Sequence, residues 1–430
     1  MNPNLTMSGV RWQIVAMLFF ATVLNYVDRA VLGILKPALE RELGWSQVDY
    51  SWMVTAFQLT YAFGYSLAGW SIDRIGVRFG LFFSVALWSL AAMAHAMART
   101  VAGFSLARAV LGLAEGGMFP AAIKTVAEWH PKEERALATG LFNAGSNIGA
   151  VVCPLVVPWL ALHWGWQAAF VATGAAGFLW VAAWLRLYGP PDRHPRVSAA
   201  ELAHIRKDPP DPPVRIPWRI LLRHKQTWAF VTGMAASAPI WWFYIYWAPD
   251  FLDKRFHLGL SQSSLPLMVL FFAASGGGIG GGWLSSWLIR RGWSVNAARK
   301  AALFLCALCV VPVAATPQVA DPWVAVGLLG LAAAAHCGFA ANLFTLVSDT
   351  VPRQAVSSVV GIGGMAGSLS GMAFSLLVGR VLEYTGNNYL VPFAIASLVY
   401  LLAAAVMHAL LPRLEAMRLD AAVPQPTQPL

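Results

Sequence analysis

Apolar runs of roughly twenty residues, separated by short polar clusters, recur along the whole chain. A helix needs about 20 mostly apolar residues to cross the hydrocarbon core of a bilayer. Runs of that kind lie at 13–35, 50–70, 80–98, 102–127, 137–161, 167–187, 227–249, 263–289, 300–316, 322–347, 357–384 and 389–411, and they predict twelve spanning helices. Ten-residue stretches of strict alternation are missing, which speaks against a transmembrane β-barrel. Asn25, Asp28 and Arg29 interrupt the first run and no small-residue cleavage pattern follows it. It therefore reads as a retained helix and not as a removed signal.

One stretch breaks the rhythm. Residues 188–226 are rich in basic side chains and in proline, and they divide six runs from six. The expected organisation is a six-helix half at 1–187, a cytoplasmic linker at 188–226, a second six-helix half at 227–411 and a cytoplasmic tail at 412–430. Within the linker, Ser198-Ala-Ala-Glu201 has the form of a capping box and predicts a short amphipathic helix along the membrane face. Two cytoplasmic turns match each other in position. GWSIDRIGVR (Gly69–Arg78) follows the second run, and GGWLSSWLIRRGWS (Gly281–Ser294) follows the eighth. A shared device at the same place in each half points to an ancient duplication. In the first copy Gly69 allows close helix approach, Asp73 can cap or pair with a helix end, and Gly76 makes the turn. Arg74 and Arg78 hold the cytoplasmic edge of this gating loop. Ser286 stands where the first copy has Asp73.

Composition supports the membrane reading. Of 430 residues, 58% are hydrophobic and 12% are charged, against about 25% charged in a soluble domain. A mean hydropathy of +0.59 excludes a soluble enzyme, a disordered chain and a disulfide scaffold. With the N-terminus inside, 21 of the 30 Lys and Arg residues fall on the cytoplasmic side, as the charge bias of membrane proteins requires. Lys36, Arg41, Arg99, Lys254 and Arg255 are the exceptions placed outside. Both termini are then cytoplasmic. Anionic lipid accounts for the net charge of +10 with no nucleic acid partner. Cys153, Cys306, Cys309 and Cys337 lie in apolar runs without metal-binding spacing and read as small buried side chains. The glycines of Ser275–Trp283 lack the strand and acidic residue of a nucleotide fingerprint and read as a bare helix face for close packing.

Ionisable groups at membrane depth are functional candidates by default. Asp28, Arg29, Arg108 and Glu115 are the four. Arg108 and Glu115 are seven residues apart, which returns a helix to nearly the same face. Asp28 and Arg29 are adjacent and point about 100° apart, so they reach different partners. One account is a pair of ion pairs, Asp28 with Arg108 and Glu115 with Arg29, fastening two helices. Such pairs add little stability compared with apolar packing. The other is an anion site beside a proton site. A guanidinium grips a carboxylate through two parallel hydrogen bonds, and a carboxylate in a dry cavity loads a proton more readily. Tyr61, Asn143, Ser146, Trp242, Tyr244, His336 and Asn342 lie at similar depth and could meet substrate hydroxyls or sugar rings. No catalytic or metal-binding constellation is present, so no enzyme is expected. No cofactor is expected either, the proton being the coupling ion.

GWSIDRIGVR resembles the loop signature of the major facilitator superfamily. NYVDR (Asn25–Arg29), the stretch Arg108–Gly140 and the stretch Gly281–Lys300 resemble its anion:cation symporter branch, and within it the bacterial hexuronate transporters. The resemblance runs over roughly residues 10–415. It implies an all-α membrane fold of twelve helices in two pseudo-symmetric halves that rock around a midplane site. It also implies that Asp28 and Glu115 carry protons while Arg29 and Arg108 serve substrate and gating. The chain departs from such relatives at Met234, Ala238 and Ser275, where they tend to carry a Lys and two Asp, and at Cys337 and Phe339, where they carry Gln and Trp. The expected function is proton-coupled symport of a small organic anion, most plainly a sugar acid such as glucuronate or galacturonate. The expected setting is a monomer in a bacterial inner membrane with the lipid bilayer as its other partner. The alternative is an exchanger or exporter of an aldonate or aromatic acid.

Overall fold

The computed structural model describes residues 8–207 and 217–417, and positions 66, 69, 70, 73, 132, 133, 136, 353, 354 and 357 are described for their backbone alone. The tail beyond residue 417 and the side-chain role expected of Asp73, with the close approach expected at Gly69, lie outside the described residues. All regular structure among the described residues is helical. The helices are α1 (Val10–Leu43), α2 (Gln47–Ala94), α3 (Val101–Glu115), α4 (Met118–Trp129), α5 (Lys132–Trp164), α6 (Trp166–Leu187), α7 (Ala199–Ile205) and α8 (Trp218–Leu221). They continue with α9 (Lys225–Phe256), α10 (Ser264–Arg290), α11 (Val295–Val310), α12 (Pro322–Thr350), α13 (Arg353–Thr385) and α14 (Leu390–Leu410).

Among the described residues, ten segments are long and apolar enough to cross a membrane. Gly76, with φ 79° and ψ 163°, breaks α2 into two rods, so the predicted turn falls where glycine alone is unstrained. α3 and α4 together form one apolar segment, Val101–Trp129. The two predicted spans outside the ten are the first rod of α2 and α9. α9 is 32 residues long. Its charged end (Asp250, Asp253, Lys254, Arg255) and its run of aromatic residues lower its mean hydropathy without shortening it. Large apolar side chains face outward, Phe272, Leu179 and Ile279 each more than 70% exposed, as lipid contact requires and water does not permit on such a scale.

Two compact units are present. The first comprises Met1–Asp211, Phe243–Phe272 and Met372–Asn388, and the second Pro212–Trp242, Ala273–Gly371 and Tyr389–Leu430. In the first unit glycines bring backbones into contact. A Cβ on Gly112 of α3 would press into the Phe57 carbonyl of α2, and one on Gly64 into the Leu113 carbonyl. Gly145 and Gly149 of α5 meet the Phe19 and Val23 carbonyls of α1 in the same way. Small residues at such crossings replace the hydrophobic drive that lipid does not supply. The turn after Gly76 is held by α6. Arg78 donates to the Leu185 carbonyl at 2.7 Å and Trp184 donates to the Arg78 carbonyl at 3.1 Å. In the second unit, Gly277 and Gly281 of the glycine run sit directly on Ala334 and Gly338 of α12. Gly363 and Gly367 of α13 receive Phe230, Met234 and Ala238 of α9.

The linker helix is fastened differently from expectation. Ser198 does accept from the Glu201 backbone N–H at 3.2 Å. The reciprocal half of the box is not made, because the Glu201 carboxylate turns away to the start of α1. There it accepts from Ser8, from the backbone N–H groups of Val10 and Arg11 at 3.2 Å and from the Arg11 guanidinium at 3.0 Å. A helix N-terminus presents unpaired N–H groups and partial positive charge, which favours this over the local box. Arg11 also bonds Glu134 at 2.9 Å, and His204 of α7 meets the same carboxylate at 3.0 Å. Burial alone would raise both acids. The bonds from Arg11 and His204 to Glu134, and from Ser8, Arg11 and Val10 to Glu201, outweigh it and hold both below the ordinary glutamate range. A depressed carboxylate stabilises above its unfolded pKa and loses that contribution as pH falls through the folded one. Hydrogen-exchange protection of the α7 amides is thus expected to persist at neutral pH and to collapse only below about pH 4.3, the ordinary glutamate value. Glu201→Gln should lose much of that protection already at pH 7. Equal protection in wild type and variant at pH 7 would show that the carboxylate does not hold the linker.

Candidate functional site

The buried charges of α1 and α3 meet inside the first unit. Arg29 is 4% exposed and Glu115 and Arg108 are fully buried. The Arg29 guanidinium reaches Glu115 Oε2 with Nη2 at 2.8 Å and Nε at 2.9 Å, and it donates to Asn25 Oδ1 at 3.2 Å. Its faces are covered by rings, with Tyr61 at 4.8 Å, Tyr26 at 4.9 Å and Phe57 at 5.4 Å from the guanidinium carbon. Such cation–π contacts stabilise a cation that has left water. Gly112 makes the approach possible, since it lets α3 ride on the α2 backbone at the turn that carries Phe57 and Tyr61.

Arg108 is arranged otherwise. Two of its nitrogens donate to the Arg29 backbone carbonyl, each at 3.2 Å. Its guanidinium lies 4.8 Å from the Phe57 ring and 5.3 Å from the Tyr246 ring of α9. The expected alternative of two ion pairs is therefore formed by half: Glu115 pairs with Arg29, and Arg108 binds backbone where an Asp28 carboxylate could have been. Both Asp28 oxygens are buried without a hydrogen-bond partner among the described residues, as are Glu115 Oε1 and Arg108 Nε. Thr173 of α6 lies beside Asp28, yet its hydroxyl is turned to the Phe170 carbonyl at 3.4 Å. Buried polar atoms are nearly always bonded, and these open valences on neighbouring charged groups make the cluster the candidate site.

Other candidates are distributed as follows. Tyr61 belongs to the Arg29 cage. Tyr244 is fully buried in the first unit and its hydroxyl lacks a hydrogen-bond partner among the described residues. Ser146 is buried with its hydroxyl donated to the Asn143 carbonyl at 2.7 Å, and Asn143 is exposed. In the second unit Trp242 is buried. His336 meets the Tyr400 hydroxyl at 2.7 Å and stacks on Trp241 at 5.0 Å. Asn342 donates to the Gly281 and Gly338 carbonyls at 2.9 and 3.0 Å. His336 and Asn342 thus bridge helices. Among the gating-loop residues, Arg78 and Gly76 act at the turn as described above, and Arg74 is exposed.

Sequence reasoning missed two participants. Tyr246 faces Arg108, and Lys36 is buried against Asp250 of α9. The first apolar run ends at residue 35, which leaves Lys36 out of the charges at membrane depth. α1 continues to Leu43 and leaves Lys36 1% exposed. The signal was present in the spacing, since Arg29 and Lys36 are seven residues apart on one face. Replacing Glu115 by Ala leaves Arg29 as a buried cation without its acid. The expected penalty is about 3–5 kcal/mol, read as a lower unfolding midpoint of the purified protein in detergent. An unchanged midpoint would mean that the pair is not formed.

The family model described as the Major Facilitator Superfamily matches residues 18–375. A hexuronate transporter of Escherichia coli is 31% identical over 406 residues, covering 93% of each chain. A D-galactonate transporter of another Escherichia coli strain is 29% identical over 414 residues, covering 93% of this chain and 94% of its own. Among solved structures, an inward-facing, occupied bacterial homologue of the human lysosomal transporter Spinster superposes with a TM-score of 0.72 at 19% identity. That likeness covers 94% of this chain and 97% of the other.

Proposed function

The chain belongs to the major facilitator superfamily, and from that premise we propose that it carries a sugar acid across the bacterial inner membrane together with protons. It is a multi-pass membrane transporter and not an enzyme. The hexuronate and galactonate carriers among its relatives support the substrate class. The Arg29–Glu115 pair is the observation that carries the coupling. Glu115 gives one oxygen to Arg29 and keeps the other open. An incoming carboxylate competes for the guanidinium, to which it can bind through two parallel hydrogen bonds. Glu115, stripped of its cation in a dry site, then favours the neutral protonated form. Substrate and proton enter together because neither charge is stable there without the other. Asp28, which has no cation bonded to it, is the second proton carrier. Tyr61 and Tyr244 serve the sugar ring and its hydroxyls, and Arg108 holds α1 in register while offering its open Nε. Alternating access of the two sequence halves moves the loaded site from one side to the other, with both termini cytoplasmic.

A second reading is favoured by one set of contacts. Met234 and Ala238 pack on the glycines of α13, and His336 and Asn342 are engaged in bonds between helices. These groups are engaged within the second unit, and an organic anion with few hydroxyls, such as an aromatic acid moved by exchange or export, makes no demand on them. Proteoliposomes separate the two. Glucuronate, galacturonate, galactonate, an aromatic acid and neutral glucose are offered while internal pH is recorded. Proton influx driven by a sugar acid and lost in Glu115→Gln is expected. Uptake of sugar acid without proton movement would overturn the coupling, and uptake of the aromatic acid alone would overturn the substrate class.

A further inference from the structure

The second unit holds a groove of about 560 Å³ between α11 and α14, floored by Leu346 of α12. The sequence leaves this space open. α14 runs through Ala403-Ala404-Ala405, and the small side chains of Ala404 and Ala405 share the groove with the larger Phe304 and Leu308 of α11. Phe304 is 53% exposed and Leu308 43%, whereas Leu346 is 2% exposed. The groove therefore has a buried floor and open apolar walls, as a surface turned to lipid chains requires. Its two polar lining residues, Lys300 and His408, both lie at one end, where the start of α11 meets the end of α14. The charge bias makes that end cytoplasmic. From Lys300 to Leu308 is about 12 Å along the helix axis, close to the hydrocarbon depth of one leaflet, about 15 Å.

The charge at that end is not neutralised by an acid. Lys300 donates to the Leu411 and Pro412 carbonyls at 2.5 and 2.7 Å, which caps the end of α14. Its third contact is the exposed His408 Nδ1 at 3.2 Å. Two acids of the same region have other cations. Glu415 faces Lys225 at 3.9 Å, and Asp349, one turn beyond Leu346, pairs with Arg299 at 3.1 Å. The segment after α14 is pinned across this edge, since the Leu414 N–H donates to Asn296 at 3.1 Å and the Met417 N–H to the Thr350 carbonyl at 2.6 Å. Arg413 stands exposed within it. We propose that this groove binds one anionic phospholipid of the inner leaflet, with an acyl chain along α11 and α14 and its phosphate against Lys300. The phosphate takes the place of His408, the longest of the three contacts, and leaves both carbonyl bonds intact. A basic pocket between helices at the cytoplasmic edge is suited to an anionic headgroup, and the apolar walls keep their burial only when a chain fills them.

The test titrates the full chain in neutral detergent with phosphatidylglycerol or with phosphatidylcholine of the same acyl chains, and counts bound lipid by native mass spectrometry. The first phosphatidylglycerol is expected to bind roughly five-fold more tightly, the effect of one basic side chain at the surface. Equal affinity for the two lipids would overturn the proposal. In Lys300→Gln the preference is expected to vanish while the amide still reaches the α14 carbonyls. Ala405→Trp keeps the lysine and fills the groove, and it is expected to abolish the tight site. Tight binding unchanged in Ala405→Trp would overturn the groove, because the headgroup would then be held by surface charge alone. A chain ended after Met417 is expected to bind as the full chain does. A tight site that appears only in the shortened chain would show that the tail occupies the groove, and would overturn the proposal as well. No substrate enters these measurements, so their outcome is separate from that of the sugar-acid and proton reading.

Discussion

A guanidinium held away from water must find acceptors, and in this chain the helix that carries Arg29 is positioned by that requirement. The bond to Glu115 fixes α1 against α3, and the bond from Arg108 to the Arg29 carbonyl fixes the depth of the same turn. Phe57, Tyr61 and Tyr26 close around the charge. None of this would fit if α3 could not approach α2, and α5 approach α1, so closely. Gly112 allows the first contact and Gly145 and Gly149 the second, each standing where a Cβ would enter a neighbouring carbonyl. Glycine and charge are therefore parts of one arrangement: the bare crossings bring backbones together, and the charges decide the register at which they stop.

That arrangement is incomplete in a patterned way. Glu115 has one open oxygen, Arg108 one open nitrogen, and Asp28 two open oxygens. A purely structural network would close these valences, because unpaired polar atoms in a low dielectric are expensive. In the second unit polar groups bridge helices directly. His336, Tyr400 and Ser237 form one chain of contacts, and the Asn342 amide nitrogen binds two carbonyls of a glycine crossing while its oxygen stays open.

Much of this was legible in the sequence. The seven-residue spacing of Arg108 and Glu115 and the break at Gly76 followed from helix periodicity and glycine chemistry alone. What could not be read was partnership. Adjacent Asp28 and Arg29 were known to point apart, but which of them meets Glu115 depends on the rotation of α1 about its axis, which no local rule fixes. Glu201 shows the same limit. Its spacing from Ser198 satisfies the capping box, yet the carboxylate leaves for a helix start almost two hundred residues earlier, where the unpaired N–H groups and Arg11 offer more. The burial of Lys36 was missed for a different reason. Apolar runs end at the first charge, whereas a helix ends where its carbonyls find caps, here at Gly44.

The extension of α1 past its apolar run gives that helix two charge clusters on one face. Arg29 pairs with Glu115, Gly33 touches the backbone of α9, and Lys36 and Glu40 pair with Asp250 and Lys254 of that helix. Two turns separate Arg29 from Lys36, about 10 Å along the axis, so one helix holds the two clusters at a fixed separation. Tyr246 in turn covers Arg108, whose carbonyl partner belongs to Arg29. Through that carbonyl and that ring, the position of α1 sets the surroundings of both buried arginines at once.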